Sequence, residues 1–586
     1  MPSFASFAAR LGGNFVPFLA WVGELRHGRA LRSDLIAGVT VALVLVPQSM
    51  AYAQLAGLPV HHGLYAAFLP PMIAALFGSS RQLATGPVAV VSLMTAAALA
   101  PLVADHPELW LAYAALLALM VGVFQLVLGL LRLGILVDFL SHPVIIGFTN
   151  AGALIIATSQ LGKLFGVDVA SADQHYETVL RTLDAALLHA HLPTLGMAAL
   201  AFVLMFGIRA LLPRAPAILI AVIFTTVLSY TIEFEAMGGA VVGAIPVGLP
   251  AVVVPSLDLH ALSLLLTAAV TIGLIGFMEA MSIAKAMAAR TRQRLDANQE
   301  LVGQGLSNIV AGMFAAYPVS GSFSRSAVNL NAGAVTGFAS IVTGLVVAVT
   351  LLWLTPLLYH LPQATLAAVI IMAVINLIKI KPVIHAWKAE PADGVVAVVT
   401  FALTLAWAPH LDYGIVSGVG LSLGLYVFRT MRPRFAVLSR HIDGTLRDIK
   451  IHHLPTSPKI AVVRFDGSLY FANAGYFETK ILSVVADNPE LEFIIVDGEG
   501  INQLDATGEE VLHHLSERLR DQGIVLMVAR MKKQFMDTIR RTGLIDVIGN
   551  ELFFPRITMA IEFAWDQLGE RYDRTNCPLN PQAVAK

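Results

Sequence analysis

The sequence predicts a multi-span α-helical membrane protein of about 14 transmembrane segments in a 7+7 inverted repeat, followed by a cytoplasmic α/β domain. Three observations predict it. Only 13% of the 586 residues are charged and 57% are hydrophobic, with a mean hydropathy of +0.74; soluble domains carry roughly 25% charged residues. Of the 77 charged residues, 40 follow Met431, so ordinary soluble composition begins there. Two apolar segments are too short to span a bilayer, and they occupy matching places in the two halves. The expected divisions are a cytoplasmic N-terminal segment 1–33, a transmembrane domain 34–430, a linker 431–458, an α/β domain 459–568 and a tail 569–586.

Residues 35–80 contain no Asp, Glu, Lys or Arg. About 20 apolar residues cross a bilayer, so this run fits two helices joined at Gly57–Gly63. Continuing along the chain, spans are expected near 34–52, 63–78, 87–101, 110–131, 142–161, 194–212 and 216–233, then 261–286, 299–316, 323–333, 336–355, 363–379, 393–408 and 413–430. With this count the basic groups Arg26–Arg29–Arg32, Arg81, Arg132, Arg209–Arg214, Arg290–Arg292–Arg294, Lys379–Lys381–Lys388 and Arg429–Arg432–Arg434 all fall on one side. The positive-inside rule puts that side, and both termini, in the cytoplasm of a bacterial-type inner membrane. The start, MPSFASFAARLGGNF, lacks the pattern of a cleaved signal peptide.

The short segments begin at TGPVAVVSL (Thr85–Leu93) and SGSFSRSAVN (Ser320–Asn329). They are third of seven and third of the next seven, and an odd count inverts the second half. Interrupted segments at corresponding places point to a binding site at the midplane. A half-helix ending inside the bilayer aims free N–H groups and its positive dipole end at one spot. Two of them facing each other make an anion site. Pro87 suits a helix start. Gly86 and Gly321 allow the backbone to approach a ligand. Ser320, Ser322, Ser324 and Ser326 supply hydroxyls, and Arg325 supplies a fixed charge.

Charges inside a membrane mark pathways. Besides Arg325, Glu279 stands out. It reads either as a coupling-ion carboxylate, taking a proton or lying near sodium, or as a structural partner of Arg325. Gln48 and Tyr52, one turn apart after Pro47, share a helix face. They line an anion pocket or bond neighbouring helices. Pro47 is expected to disturb the first span.

The composition excludes several classes. A net charge of −1 offers no field for nucleic acid. There is no Gly-rich nucleotide loop and no Cys–His cluster, so no enzyme, cofactor or metal is expected. His61, His62, His142 and His385 lack ligand spacing. Cys577 is the single cysteine and is expected to be a tail thiol without a role. Remaining readings are a secondary transporter, an uncoupled anion channel or exchanger in the same fold, and a membrane-anchored signalling scaffold.

At LPVHHGLYAAFLPPMIAALFGSSRQLATGPVAVVSL, EAMSIAKAMA, QELVGQGLSNIVAG and SGSFSRSAVN the chain resembles the SulP (sulfate permease) family of anion transporters. The resemblance implies a core and a gate, an anion held between half-helices 3 and 10, an elevator-like motion and a homodimer. It carries site positions onto Gln48, Tyr52, Val88, Glu279, Phe323, Ser324 and Arg325. A Glu at position 279 implies proton rather than sodium coupling. The implied substrate is a small anion, sulfate first, with bicarbonate and C4-dicarboxylates as alternatives.

After Pro458 the chain reads strand, helix start, strand, turn, amphipathic helix, strand, which is an α/β pattern. This stretch resembles a STAS domain with the signature turn Asp505–Ala506–Thr507–Gly508. In signalling members the residue after that Asp carries the phosphorylated hydroxyl. Ala506 has none, although Thr507 stands beside it. The domain is expected either to support folding and dimer contacts or to receive a regulatory protein or ligand.

Overall fold

The computed structural model describes residues 17–581, except 27, 104–105, 136–140, 171, 173 and 213–214. Most of the expected N-terminal segment, Arg214 of the basic groups and the end of the expected tail therefore lie outside the described residues. The chain divides into two units, Met1–Ser422 and Leu423–Lys586.

Fourteen helices match the expected spans. They are α1 (Gly28–Leu55), α2 (Val60–Phe77), α3 (Ala89–Leu99), α4 (Trp110–Leu130), α5 (His142–Ser159), α6 (Leu192–Leu211) and α7 (Ala217–Thr231), then α8 (Leu259–Thr291), α9 (Ala297–Met313), α10 (Phe323–Asn331), α11 (Phe338–Val349), α12 (Gln363–Val374), α13 (Pro391–Ala406) and α14 (Leu411–Thr430). Further helices, among them His175–His189 and Ile380–Ala389, fall where loops and flanks were expected. Helix α1 continues through Pro47 as one helix, so any disturbance there stops short of a break. Pro47 removes only its own N–H bond. It lies in the part of the helix that is free of charged residues, from Leu35 onward, and lipid penalises an opened backbone more than a lost bond.

The helices form two groups. Helix α9 packs on α4 and α2, α11 packs on α1 and α2, and α8 packs on α4. In the other group α13 packs on α5, while α12 contacts α5, α6 and α7. In the first group the α4–α9 seam is closed by glycine. A Cβ on Gly122 would stand 2.6 Å from the Gly305 carbonyl, and one on Gly312 would stand 2.6 Å from that of Ala115. In lipid, where apolar surface gives helices no reason to associate, such close approach supplies the packing.

Ahead of the two half-helices the backbone is extended. Strand β1 (Thr85–Gly86) pairs antiparallel with β2 (Ser320–Gly321), Thr85 opposite Gly321 and Gly86 opposite Ser320. This ribbon gives the interrupted backbone hydrogen-bond partners inside the protein, as a bilayer requires.

The second unit contains one six-stranded sheet of order β4–β3–β5–β6–β7–β8. Its strands are β3 (Phe435–Arg440), β4 (Leu446–Asp448), β5 (Ile460–Phe465), β6 (Phe493–Asp497), β7 (Val525–Ala529) and β8 (Phe553–Phe554). Strands β5 to β8 run parallel. Both faces are covered, which explains the unbroken apolar runs of β5 and β6. On one face Ala461, Val463 and Phe465 meet α15 (Ala474–Asp487) and α16 (Ala506–Asp521). On the other, Ile460 and Val462 meet helix Ile557–Leu568, together with Cys577 and Leu579. Strands β3 and β4 thus arise from the stretch expected as a linker. Cys577 is 2% exposed, and Tyr572 Oη donates to its sulfur at 3.3 Å. It is a core residue rather than a loose tail thiol.

Candidate anion site between two half-helices

The site is built around the β1–β2 ribbon. Helix α3 starts after Val88, which is the N-cap in extended conformation without a side-chain cap. Pro87 therefore precedes the cap and is not the first helical residue, because the ribbon holds the chain extended for two further positions. Helix α10 starts after Ser322, whose Oγ accepts from Arg325 N at 3.4 Å. Each start directs free N–H groups and roughly half a positive charge toward the ribbon.

Arg325 is fully buried. Its Nε, Nη1 and Nη2 have no hydrogen-bond partner among the described residues. A Cβ on Gly86, whose φ is +147°, would lie 3.4 Å from Nη2. The guanidinium thus stands against the α3 half-site from the α10 side. Glu279, Tyr52 and Tyr317 are its electrostatic neighbours. Glu279 and Arg325 make no ion pair within 4 Å among the described residues, and Glu279 Oε2 also lacks a partner. A buried cation with three unmatched nitrogens is costly unless an anion completes it.

Beside this group opens a cavity of about 960 Å³. Gln48, Val90, Glu279, Phe323 and Ser324 line it. Tyr52, Gly86, Val88, Ser322 and Arg325 are buried and do not line it. Of the four serines, only Ser324 reaches the cavity. Ser320 Oγ donates to Gly276 O at 2.6 Å, and Ser326 Oγ accepts from Ala84 N at 2.9 Å. Those two, with Ser322 at the cap, hold the fold. The cavity also touches Arg209 and Lys379, and Lys379 Nζ lies 5.7 Å from the Phe323 ring.

A buried polar network behind the ribbon has no counterpart in the sequence reading. Glu300 Oε2 accepts from Ser79 N, Ser79 Oγ and Ser80 N at 2.9, 3.1 and 3.0 Å. Gln304 Nε2 bridges Glu300 Oε1 to Thr85 Oγ1 at 3.2 and 2.9 Å. Asp34 Oδ1 accepts from Val335 N and Thr336 N at 2.7 and 3.1 Å. Neither carboxylate stands in an apolar run: Asp34 follows Arg32 and Ser33, and Glu300 follows Asp296, Asn298 and Gln299, so the signal that singled out Glu279 does not find them.

In the second unit Asp505 is the N-cap of α16. Its Oδ1 accepts from Gly508 N at 2.8 Å and its Oδ2 from Phe471 N at 2.9 Å. Gly508 sits against the Leu469 carbonyl, which a Cβ would meet at 2.6 Å. Ala506 and Thr507 are exposed.

The sulfate permease family model matches residues 31–400, and a STAS domain model matches residues 453–560. The chain belongs to the sulfate permease family. It is 36% identical over 567 residues to "Sulfate transporter 4.1, chloroplastic" of Arabidopsis thaliana, covering 93% of this chain and 82% of that one. The murine Solute Carrier 26 family member A9 anion transporter in the inward-facing state is similar in structure, with TM-score 0.88, 25% identity and 96% and 95% of the two chains covered. The transmembrane domain of a cyanobacterium bicarbonate transporter, BicA, is similar with TM-score 0.58 and 26% identity, covering 67% of this chain and 98% of that one. This sulfate permease family member is therefore an integral membrane anion transporter, not an enzyme.

Proposed function

We propose that this chain is a secondary active transporter that moves sulfate across the membrane together with protons. The observation that carries the reading is the unpartnered, fully buried Arg325 guanidinium between two half-helix starts. Two helix N-termini and a guanidinium suit an oxyanion: backbone N–H groups and planar N–H donors match its oxygens. The group of helices that carries Arg325 slides as a body against the other in an elevator-like motion. Gln48, Tyr52, Val88, Phe323 and Ser324 shape the pocket, and Glu279 carries the proton. Its nearness to Arg325 without an ion pair among the described residues supports that role. Protonation would remove the negative charge that opposes the anion.

Sulfate leads because curated relatives such as that of Arabidopsis thaliana carry that substrate in their names. Bicarbonate is the second reading, favoured by the likeness to BicA. Arg209 and Lys379 line the cavity. The positive-inside rule puts their ends in the cytoplasm of a bacterial inner membrane, with both termini on that side, so the cavity opens inward. A homodimer is the expected assembly.

The test is uptake into proteoliposomes of labelled sulfate, bicarbonate and fumarate, each with an inward proton gradient, an inward sodium gradient or neither. Sulfate accumulation only with the proton gradient is expected. Sodium-dependent uptake would reassign the coupling ion, and flux indifferent to both gradients would replace symport with exchange or a channel.

A further inference from the structure

The chain between α12 and α13 forms a helix of its own, Ile380–Ala389. Ile378 and Lys379 are extended ahead of it, and Glu390 is extended behind it, as the cap from which α13 starts. The helix therefore joins the ends of two spans directly, at the level where they leave the bilayer. The positive-inside rule puts this end in the cytoplasm. Helical spacing divides its residues into three stripes. Pro382, Val383 and Ala386 are half-buried, and the helix packs against α13 and α5. A Cβ on Gly394 of α13 would stand 2.9 Å from Trp387 Cα, so the two helices approach closely there.

The other two stripes are left uncovered. Ile380, Ile384 and Trp387, spaced i, i+4, i+7, are 67%, 50% and 49% exposed. Lys381, His385 and Lys388 repeat that spacing one residue on and are exposed as well. Their side chains make no hydrogen bond or ion pair among the described residues. Residues 379–389 contain no Asp or Glu. Glu390 and Asp393 follow at the N-terminus of α13, where the helix dipole favours them. Lys379 belongs to the anion cavity, beside Phe323. Two features commit the cover to lipid. The apolar stripe continues the exposed apolar surface of the spans on either side, Ile375 and Ile378 before it and Val395 and Val398 after it. The stripe beside it is basic, which complements an anionic headgroup.

We propose that helix Ile380–Ala389 is a docking surface for anionic phospholipid of the cytoplasmic leaflet. Ile380 and Ile384 enter the boundary between headgroups and acyl chains, as the apolar face of an interfacial helix does. Trp387 sits at headgroup level, the depth that tryptophan prefers. Lys381 and Lys388 hold the lipid phosphate, their stems lying along the apolar stripe while their ammonium groups reach the surface. Bound lipid would fix the α12–α13 junction at the membrane surface. The inference rests on the orientation given above, and not on the transported anion or the coupling ion.

The test places the full-length protein in phosphatidylcholine nanodiscs with increasing fractions of acyl-brominated phosphatidylglycerol or, separately, acyl-brominated phosphatidylcholine. Bromine quenches tryptophan on contact, and the signal of Trp387 is the difference between wild type and Trp387→Phe. Both lipids should quench Trp387. Half-maximal quenching should need a phosphatidylglycerol fraction at least about fivefold lower, the contribution of one lysine near an anionic surface. Replacing both lysines, Lys381→Gln with Lys388→Gln, should abolish that preference. Arg325→Ala should keep it, which separates this surface from the anion site. Should Trp387→Phe lower the yield of folded protein, loss of the preference in total quenching on lysine replacement gives the reading without it. Trp387 unquenched by either lipid would show that protein covers the stripe. Equal quenching by both lipids, or a preference that survives loss of both lysines, would show that no headgroup is recognised. Any of these three results would overturn the proposal.

Discussion

Asn308 clamps Val319 through both of its amide atoms. Val319 N donates to Asn308 Oδ1 at 2.7 Å, and Asn308 Nδ2 donates to Val319 O at 3.1 Å. The same Nδ2 donates to Gln125 Oε1 at 3.0 Å. One side chain thus substitutes for a strand neighbour immediately before β2. Asn308→Leu should orphan the Val319 N–H and carbonyl inside the membrane unit, at a cost of about 2 kcal/mol. A lower Tm in detergent, with reduced transport, is the expected outcome.

Arg325→Ala should abolish anion binding while the protein still reaches the membrane. No Arg325 side-chain nitrogen bonds to protein among the described residues, so truncation removes no internal bond there. A charge-assisted contact contributes about 1.5–3 kcal/mol, so sulfate uptake should fall at least about tenfold. Wild-type uptake would remove Arg325 from the site.

Glu279→Gln should uncouple transport from the proton gradient and leave exchange of sulfate for sulfate in place. The amide keeps the shape of a side chain that lies partly in the cavity wall but has no titratable proton. Counterflow measured beside gradient-driven uptake distinguishes these outcomes. If gradient-driven accumulation persists, Glu279 is a structural carboxylate.

Asp497→Ala should destabilise the second unit without touching the membrane unit. Asp497 is fully buried at the end of β6, and Arg530 bonds both of its oxygens. Its arginine partners reach solvent, with side chains 35% and 37% exposed, so the stranded charge stays hydrated. The cost should be about 2 kcal/mol rather than that of a fully buried ion. Hydrogen exchange confined to residues of the sheet, with unchanged sulfate transport, would check it.

The spans were legible because lipid enforces long apolar runs, and the half-helices because Gly86, Pro87 and Gly321 interrupt such runs at matching places. Asp34 and Glu300 were not. Their partners, Val335 and Ser79, lie 301 and 221 positions away, and no local spacing announces them. Helix Ile380–Ala389 was hidden for another reason. Its lysines resemble a span flank, and only its packing against α13 shows a separate helix. The cap of α3 at Val88 rather than Pro87 depends on a strand pairing that local sequence does not encode.

That pairing also sets an order of assembly. Thr85 meets Gly321, which is synthesised 236 positions later. At about 5–20 residues per second, translation alone imposes a wait on the order of 10–50 s. During it, the first half-site has inserted but has no second strand. Its extended backbone must then be sheltered by water or by the insertion machinery. The vulnerable stage in making this protein is therefore closure of the two halves rather than membrane entry. Defects at Asn308, Glu300 or Gln304 would appear first as chains that are inserted, trapped half-assembled and degraded.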